Sequence, residues 1–273
     1  VPEAYATTED GQGTSILDEA AIARHCPASL AADIAGGLFS PHELRVESRQ
    51  VIPRLATWLT QAHGVEFRRG VAVAGVSPPV VSTSDGDIRA AKIAICPGDD
   101  LATLFPASIA AYGVQRCKLH MMRLGDPGFR LDAAIVSDLS LLRYGGYAAM
   151  QQCNALKSRL LHERNAVLAN GVHLIVVQSA DGSLVVGDSH HSGATPDPFA
   201  PETVAQMILD EYSALFGPPP PVLARWTGTY CSASDEAFID APHEDVRLVM
   251  TTSGTGASTG FAIGEETVAQ LFA

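Results

Sequence analysis

Residues 246–272 read VRLVMTTSGTGASTGFAIGEETVAQLF. An apolar run, Val246 to Met250, meets a turn of small residues, and the turn opens a helical pattern that runs to Phe272. Strand, turn and helix in that order are a building unit of α/β folds. Side chains as small as those from Thr251 to Gly260 let the backbone approach a flat polar group, and a helix N-terminus offers unpaired N–H groups to its oxygens. The stretch predicts an α/β (mixed α+β) protein with a ligand-facing turn near its end. A strand–turn–helix junction with no ligand is the plainer alternative.

Gly256-Ala257-Ser258-Thr259-Gly260 also fits GxSxG, the nucleophile elbow of serine hydrolases. That chemistry needs an acid and then a histidine later in the chain. Only 13 residues follow Gly260, and none is His or Asp. Chain order excludes the hydrolase.

Outward from this turn, the whole chain reads as mixed helix and strand. Its 273 residues are 47% hydrophobic, enough for one large domain or two modest ones. A formal charge of -12 argues against nucleic acid or an anionic membrane as partner, because phosphate binding needs clustered Lys and Arg. The five cysteines are scattered and no CxxC pair occurs, so structural zinc and a disulfide framework are not expected, and a cytoplasmic location is. VPEAYATTEDGQGT at the start has neither a basic nor an apolar leader region and reads as the middle of something longer.

Helices are predicted for Ser15–His25, Glu47–His63, Met150–Asn165 and Pro201–Phe216. The second carries Val51, Ile52, Leu55, Trp58 and Leu59 on one face, with a bend at Pro53 and Gly64 as its stop. VEFRR (65–69), VAVAGV (71–76), VVSTSDGDIRA and KIAIC read as strands, with SDGD as a hairpin turn. HLIVVQSADGSLVVGDSHH (173–191) reads as a second hairpin, turning at ADGS. The prolines at 218–221 form a stiff connector.

SGTGASTGFAIGEETVAQL (253–271) resembles the closing segment of the FAD-dependent D-amino-acid-oxidase-like amine oxidases, the group that includes glycine and sarcosine oxidase. GGLFSPHELRVESRQVIPRLATWLTQAHGVEFRRGVAVAGV (36–76), AAKIAICPGDDLATLFP (90–106) and TGTYCSASDEAFIDAP (227–242) resemble further parts of that family. The resemblance implies FAD contacts from Val71 and Val73, from Cys96, Pro97 and Gly98, and from Gly254, Thr255, Gly256, Ala257, Ser258 and Thr259. Gly228 stands where the sarcosine-oxidase type carries its flavin-linking cysteine, so FAD is expected to be noncovalent. The family's GxGxxG strand–turn–helix is missing, and Gly11-Gln12-Gly13 follows no strand. The pyrophosphate end of the site is therefore expected upstream of Val1, and the 273 residues alone are expected to be colourless and inactive.

The resemblance divides the chain into a partial FAD-binding domain of the glutathione-reductase-like type (36–112 and 245–273) and a substrate domain with a mixed or antiparallel sheet (1–35 and 113–244). That sheet is expected to join 113–124, 172–178 and 184–190. In GVQRCKLHMMRL, alternation puts Arg116, Lys118 and His120 on one face, either solvated or turned to an anionic substrate. Arg143 and Tyr144, read as a second strand, are further candidates, with His190 lining the pocket and Trp226 and Tyr230 as its walls or as core. No catalytic acid or base stands out. The Gly187–His191 run suggests a metal site, but adjacent histidines on a strand face opposite ways and no third ligand is apparent, so no metal is expected.

The family resemblance implies oxidation of the C–N bond of a small amine or amino acid bearing a carboxylate or phosphonate. Hydride passes to flavin, and O₂ then yields H₂O₂. Within the family the sequence looks closest to a group associated with phosphonate catabolism. A non-catalytic fragment or small-molecule-binding domain is the alternative. The exact amine and the oligomeric state are not legible.

Overall fold

The computed structural model describes residues 1–26 and 34–273. It is a mixed α/β protein with antiparallel and mixed sheets, divided into two compact units. The first comprises Val1–Pro53, Leu119–His191 and Pro198–Gly228; the second comprises Arg54–Lys118, Ser192–Asp197 and Thr229–Ala273.

The first unit is organised around antiparallel strands. Leu184–Gly187 lies between Gln115–Leu124 and Ile175–Gln178, and Ile135–Val136 flanks the latter. The three predicted segments thus share one sheet. Registers Leu184↔Leu124 and Val186↔Met122 put alternate residues on a single face, as a two-residue period requires. Met122, Leu124, Val176, Leu184 and Val186 are buried there against helix Glu202–Phe216, which supplies Val204, Ala205, Ile208, Leu209 and Tyr212. The three-and-four spacing of these helical residues makes one apolar stripe, and each large side chain fully buried contributes about 1.5–3 kcal/mol. Gly217, at φ 78°, ends that helix in a conformation other residues resist.

In the second unit, Val246–Thr251 pairs antiparallel with Ala237–His243 and parallel with Ile93–Ile95. Ile93, Ile95, Phe238, Val246, Leu248 and Met250 form its core, with Tyr112 stacked on Phe238. A separate three-stranded sheet, Val73–Ser77, Val80–Thr83 and Gly86–Arg89, turns through Ser84 and Asp85 as predicted. The terminal helix is Gly256–Leu271.

Several predicted elements differ. Ser15–Leu17 is a strand paired with Gly37–Phe39, and the helix begins only at Glu19, after Asp18 caps it by accepting from Ala21 N–H. VEFRR is not a strand: no strand pairs with it, and Val65 and Phe67 are exposed. Arg143 and Tyr144 lie in no strand, because Ser140 O accepts both of their N–H groups and winds the chain into a turn. The stretch 150–165 contains a helix only over Cys153–Glu163, with a second over Asn165–Ala169. Helix Ser48–His63 forms around Pro53 as read, yet it buries none of its residues among those described.

Candidate functional site

Two places gather the predicted residues, one in each unit. In the second unit, the turn after Val246–Thr251 is tied down by its neighbours. Thr252 N–H donates to Glu236 O at 2.8 Å, Thr252 Oγ1–H to Asp235 O, and Ser253 Oγ–H to Glu236 O at 3.1 Å. Gly254 has φ 78° and lies against the ring of Tyr230, so close that a Cβ there would meet Cζ at 3.2 Å. The backbone then enters the helix at Gly256, where Thr255 provides no side-chain cap. Ser258 and Thr259 N–H donate to Thr255 O, which leaves the N–H groups of Gly256 and Ala257 to other acceptors.

Cys96, Pro97 and Gly98 follow strand Ile93–Ile95. Gly98 has φ 63° with open space where its Cβ would be, and its carbonyl accepts from Cys231 Sγ–H at 2.9 Å. Asp99 accepts from Thr229 Oγ1–H through its carboxylate and from Arg116 Nε at 2.8 Å through its carbonyl. The segments 96–99, 229–236 and 252–256, far apart in sequence, are thus joined by direct contacts within this unit. Val71 precedes and Val73 opens the separate sheet, whose Val76 and Val81 pack on the same core.

Arg116 also donates to Ala194 O at 3.0 Å, and Lys118 Nζ donates to Asp197 O and Oδ1 at 2.9 and 3.0 Å. On the even-numbered face of this strand Lys118 and His120 are buried, as are Met122 and Leu124 beyond them, while Arg116 near its start is partly exposed. Trp226 is 36% exposed on strand Val222–Ser232.

The first unit holds a cluster that the sequence shows only in part. The chain leaves its strand at Gly187, so Asp188, Ser189 and His190 do not alternate as strand residues do. His173, from the segment entering the neighbouring strand, reaches the same point. Its Nε2 lies 3.0 Å from Asp188 Oδ1, and its Nδ1 is 2.9 Å from Ser140 Oγ. His190 donates Nδ1–H to Gly171 O at 2.9 Å and accepts from Arg143 Nε at Nε2, 3.2 Å away. The two imidazoles stack 4.8 Å apart, with Tyr144 edge-on to His173. Gly171, at φ 58°, is required here, since a Cβ would come within 2.8 Å of His190 Cβ and O. His120 Nδ1 meets Ser189 Oγ at 2.5 Å, and its ring packs edge-on to His191.

Burial governs the charges. It drives His173 down to about 3, aided by His190 and Arg143. Burial drives His190 down to about 4 against the raising effect of Gly171 O, again with Arg143 assisting. It pushes Asp188 up to about 7 although Arg143 opposes the rise. Both imidazoles are neutral at pH 7. His190 and His191 do diverge, His191 packing on His120, while further candidate ligands not apparent in the sequence come from His173 and Asp188, whose ligand atoms and that of His190 lie within 4.8 Å of one another. His173, Asp188 and Ser140 were missed because no local pattern links 140, 173 and 188.

A model of the FAD dependent oxidoreductase family (DAO) matches residues 3–270, and the chain belongs to that family. Its fold is similar to that of glycine oxidase from Bacillus cereus ATCC 14579 at 12% identity, TM-score 0.71, covering 97% of this chain and 66% of that one. L-proline dehydrogenase from P. horikoshii gives 14%, 0.71, 95% and 64%, and L-amino acid deaminase from Proteus myxofaciens, in complex with anthranilate, gives 17%, 0.66, 99% and 68%. The chain spans slightly less than two thirds of the first two structures' length. No curated protein matches it. No helix among the described residues is long and apolar enough to cross a membrane.

Proposed function

We propose that this protein oxidises the C–N bond of a small amine or amino acid carrying a carboxylate or phosphonate, using noncovalent FAD. The family match over residues 3–270 carries the reading. The second unit fits the cofactor. The positive φ at Gly98 and Gly254, the open space at Gly98 and the uncapped start of helix Gly256–Leu271 offer backbone N–H groups to a flat ring's carbonyl edge. Gly254, Thr255, Gly256, Ala257, Ser258 and Thr259 would hold it from one side, and Cys96, Pro97 and Gly98 from the other. Val71 and Val73 are assigned to its adenosine end. FAD, when bound, supplies the hydride acceptor, and its reoxidation by O₂ gives H₂O₂.

The chain's own residues bind and orient. Tyr230, which lies on Gly254, is assigned to a substrate wall, and Trp226 is a separate candidate for one in the first unit. Arg143 is assigned to the anionic end, with Tyr144 and His190 beside it. Arg116 and Lys118, candidates for an anionic group as well, already spend donors on Asp99, Ala194 and Asp197 within the second unit. Gly228 offers no sulfur for a covalent link, and Cys231 is buried on Gly98 O. Five scattered cysteines with no CxxC pair fit the cytoplasm.

The test is anaerobic mixing of the natural full-length protein, with any residues that precede Val1 present, with glycine, sarcosine, an aminophosphonate and uncharged alkylamines. Bleaching of the flavin absorbance by an anionic amine, and not by its uncharged counterpart, is expected. Bleaching by none of them contradicts the activity, and equal bleaching by charged and uncharged amines contradicts the anionic substrate.

A further inference from the structure

We propose that His173, Asp188 and His190 form a binding site for a first-row divalent cation, with zinc as its simplest occupant. The inference stands on the first unit alone and does not need the flavin, but it gives His190 and Arg143 a role other than the substrate contacts assigned to them above.

The first observation is an unmet demand. His173 Nε2 and Asp188 Oδ1 lie 3.0 Å apart, yet neither makes an aligned hydrogen bond to the other or to any described group. Both atoms are buried, and the side chains of His173 and Asp188 are 3% and 14% exposed. Leaving buried polar atoms unmatched costs about 1–3 kcal/mol each. A cation between them turns that cost into bonding.

The second observation is how the imidazoles are held. His190 gives its Nδ1–H to Gly171 O, so Nε2 carries the lone pair and faces Asp188 Oδ2 at 3.8 Å. His173 has Ser140 Oγ at Nδ1, and with Nδ1–H donated there its Nε2 likewise carries the lone pair toward Asp188. An oxygen bonded to one ring nitrogen, which fixes the tautomer and aims the other nitrogen, is the usual support of a metal-bound histidine. Two imidazoles and one carboxylate suit zinc, iron or nickel, and leave coordination positions for water or a small ligand.

The third observation is Arg143. Its Nε donates to His190 Nε2 at 3.2 Å, so a guanidinium already sits where positive charge is favoured. Arg143 is exposed. It is the resident cation that a divalent ion displaces. The ligand atoms, up to 4.8 Å apart, must then draw in, because metal–ligand bonds of about 2.0–2.2 Å place neighbouring donors roughly 3–3.5 Å apart.

The experiment is calorimetric titration of chelator-stripped full chain with Zn²⁺, and with Mn²⁺ for comparison. One equivalent of Zn²⁺ should bind. Asp188→Asn and His190→Gln should each weaken binding at least about 100-fold, whereas Arg143→Gln should tighten it about tenfold by removing a like charge. Should Asp188→Asn fail to fold by circular dichroism, His190→Gln and Arg143→Gln decide, since they alter the partly exposed side of the cluster. The opposite signs of these two variants distinguish ligation from general damage. Zinc binding unchanged in His190→Gln, or absent from both the native chain and Arg143→Gln, overturns the proposal.

Discussion

Helices Glu202–Phe216 and Ser48–His63 carry the same kind of message in sequence, an apolar stripe at three-and-four spacing, and meet opposite fates. The first sinks Ile208 and Tyr212 completely into the core of its unit. The second leaves Ile52 67% and Trp58 53% exposed. Periodicity specifies a helix and which of its faces is apolar. What covers that face is decided by the strands and loops folded beside it.

The largest effect that tests the contrast is Ile208→Ala. Removing a fully buried side chain from between the sheet and Tyr212 should cost about 2–5 kcal/mol in urea unfolding, transfer and cavity terms together. A loss below about 1 kcal/mol would mean that this helix is no better packed than the other.

Next comes Glu211 on the same packed helix, paired with Arg164 at 3.2 Å. Burial raises its pKa despite Arg164, with Asp138 and Asp210 adding to the rise. A carboxyl whose folded pKa is raised contributes stability that is fully present below its unfolded value and is lost as pH rises through the folded value. Thermal melting across that window should therefore show the wild type losing stability with rising pH relative to Glu211→Gln, by less than the Ile208→Ala loss. Parallel melting curves would show that Arg164 fully offsets the burial.

The smallest effect belongs to the bare helix. Ile52→Gln should change the stability of these 273 residues by no more than about 0.5 kcal/mol. A loss comparable to that of Ile208→Ala would show that the face is covered in solution.

The same contrast explains what could be read from sequence. The expected sheet of 113–124, 172–178 and 184–190 forms as Gln115–Leu124, Ile175–Gln178 and Leu184–Gly187, whose two-residue period is a local property. Ser84-Asp85, Gly217 and the strand–turn–helix around Gly254 were legible for the same reason. Strand Ser15–Leu17 was not, since its identity depends on Gly37–Phe39 twenty residues on. The histidine cluster needs Ser140, His173 and Asp188 to meet across three segments, and only the pair His190-His191 gave a local sign of it. His120 and Lys118 looked like a solvated face because charge usually follows water; here Ser189 and Asp197 satisfy them inside.

The central claim is that the turn from Ser253 to Thr259 faces noncovalently held FAD. Its most direct test is the visible absorbance of the natural full-length protein, with any residues that precede Val1 present, recorded before and after acid precipitation. A yellow protein whose flavin passes entirely into the acid supernatant, in stoichiometric amount, is the predicted result. A colourless full-length protein would contradict the cofactor assignment, and flavin retained in the pellet would contradict the noncovalent one.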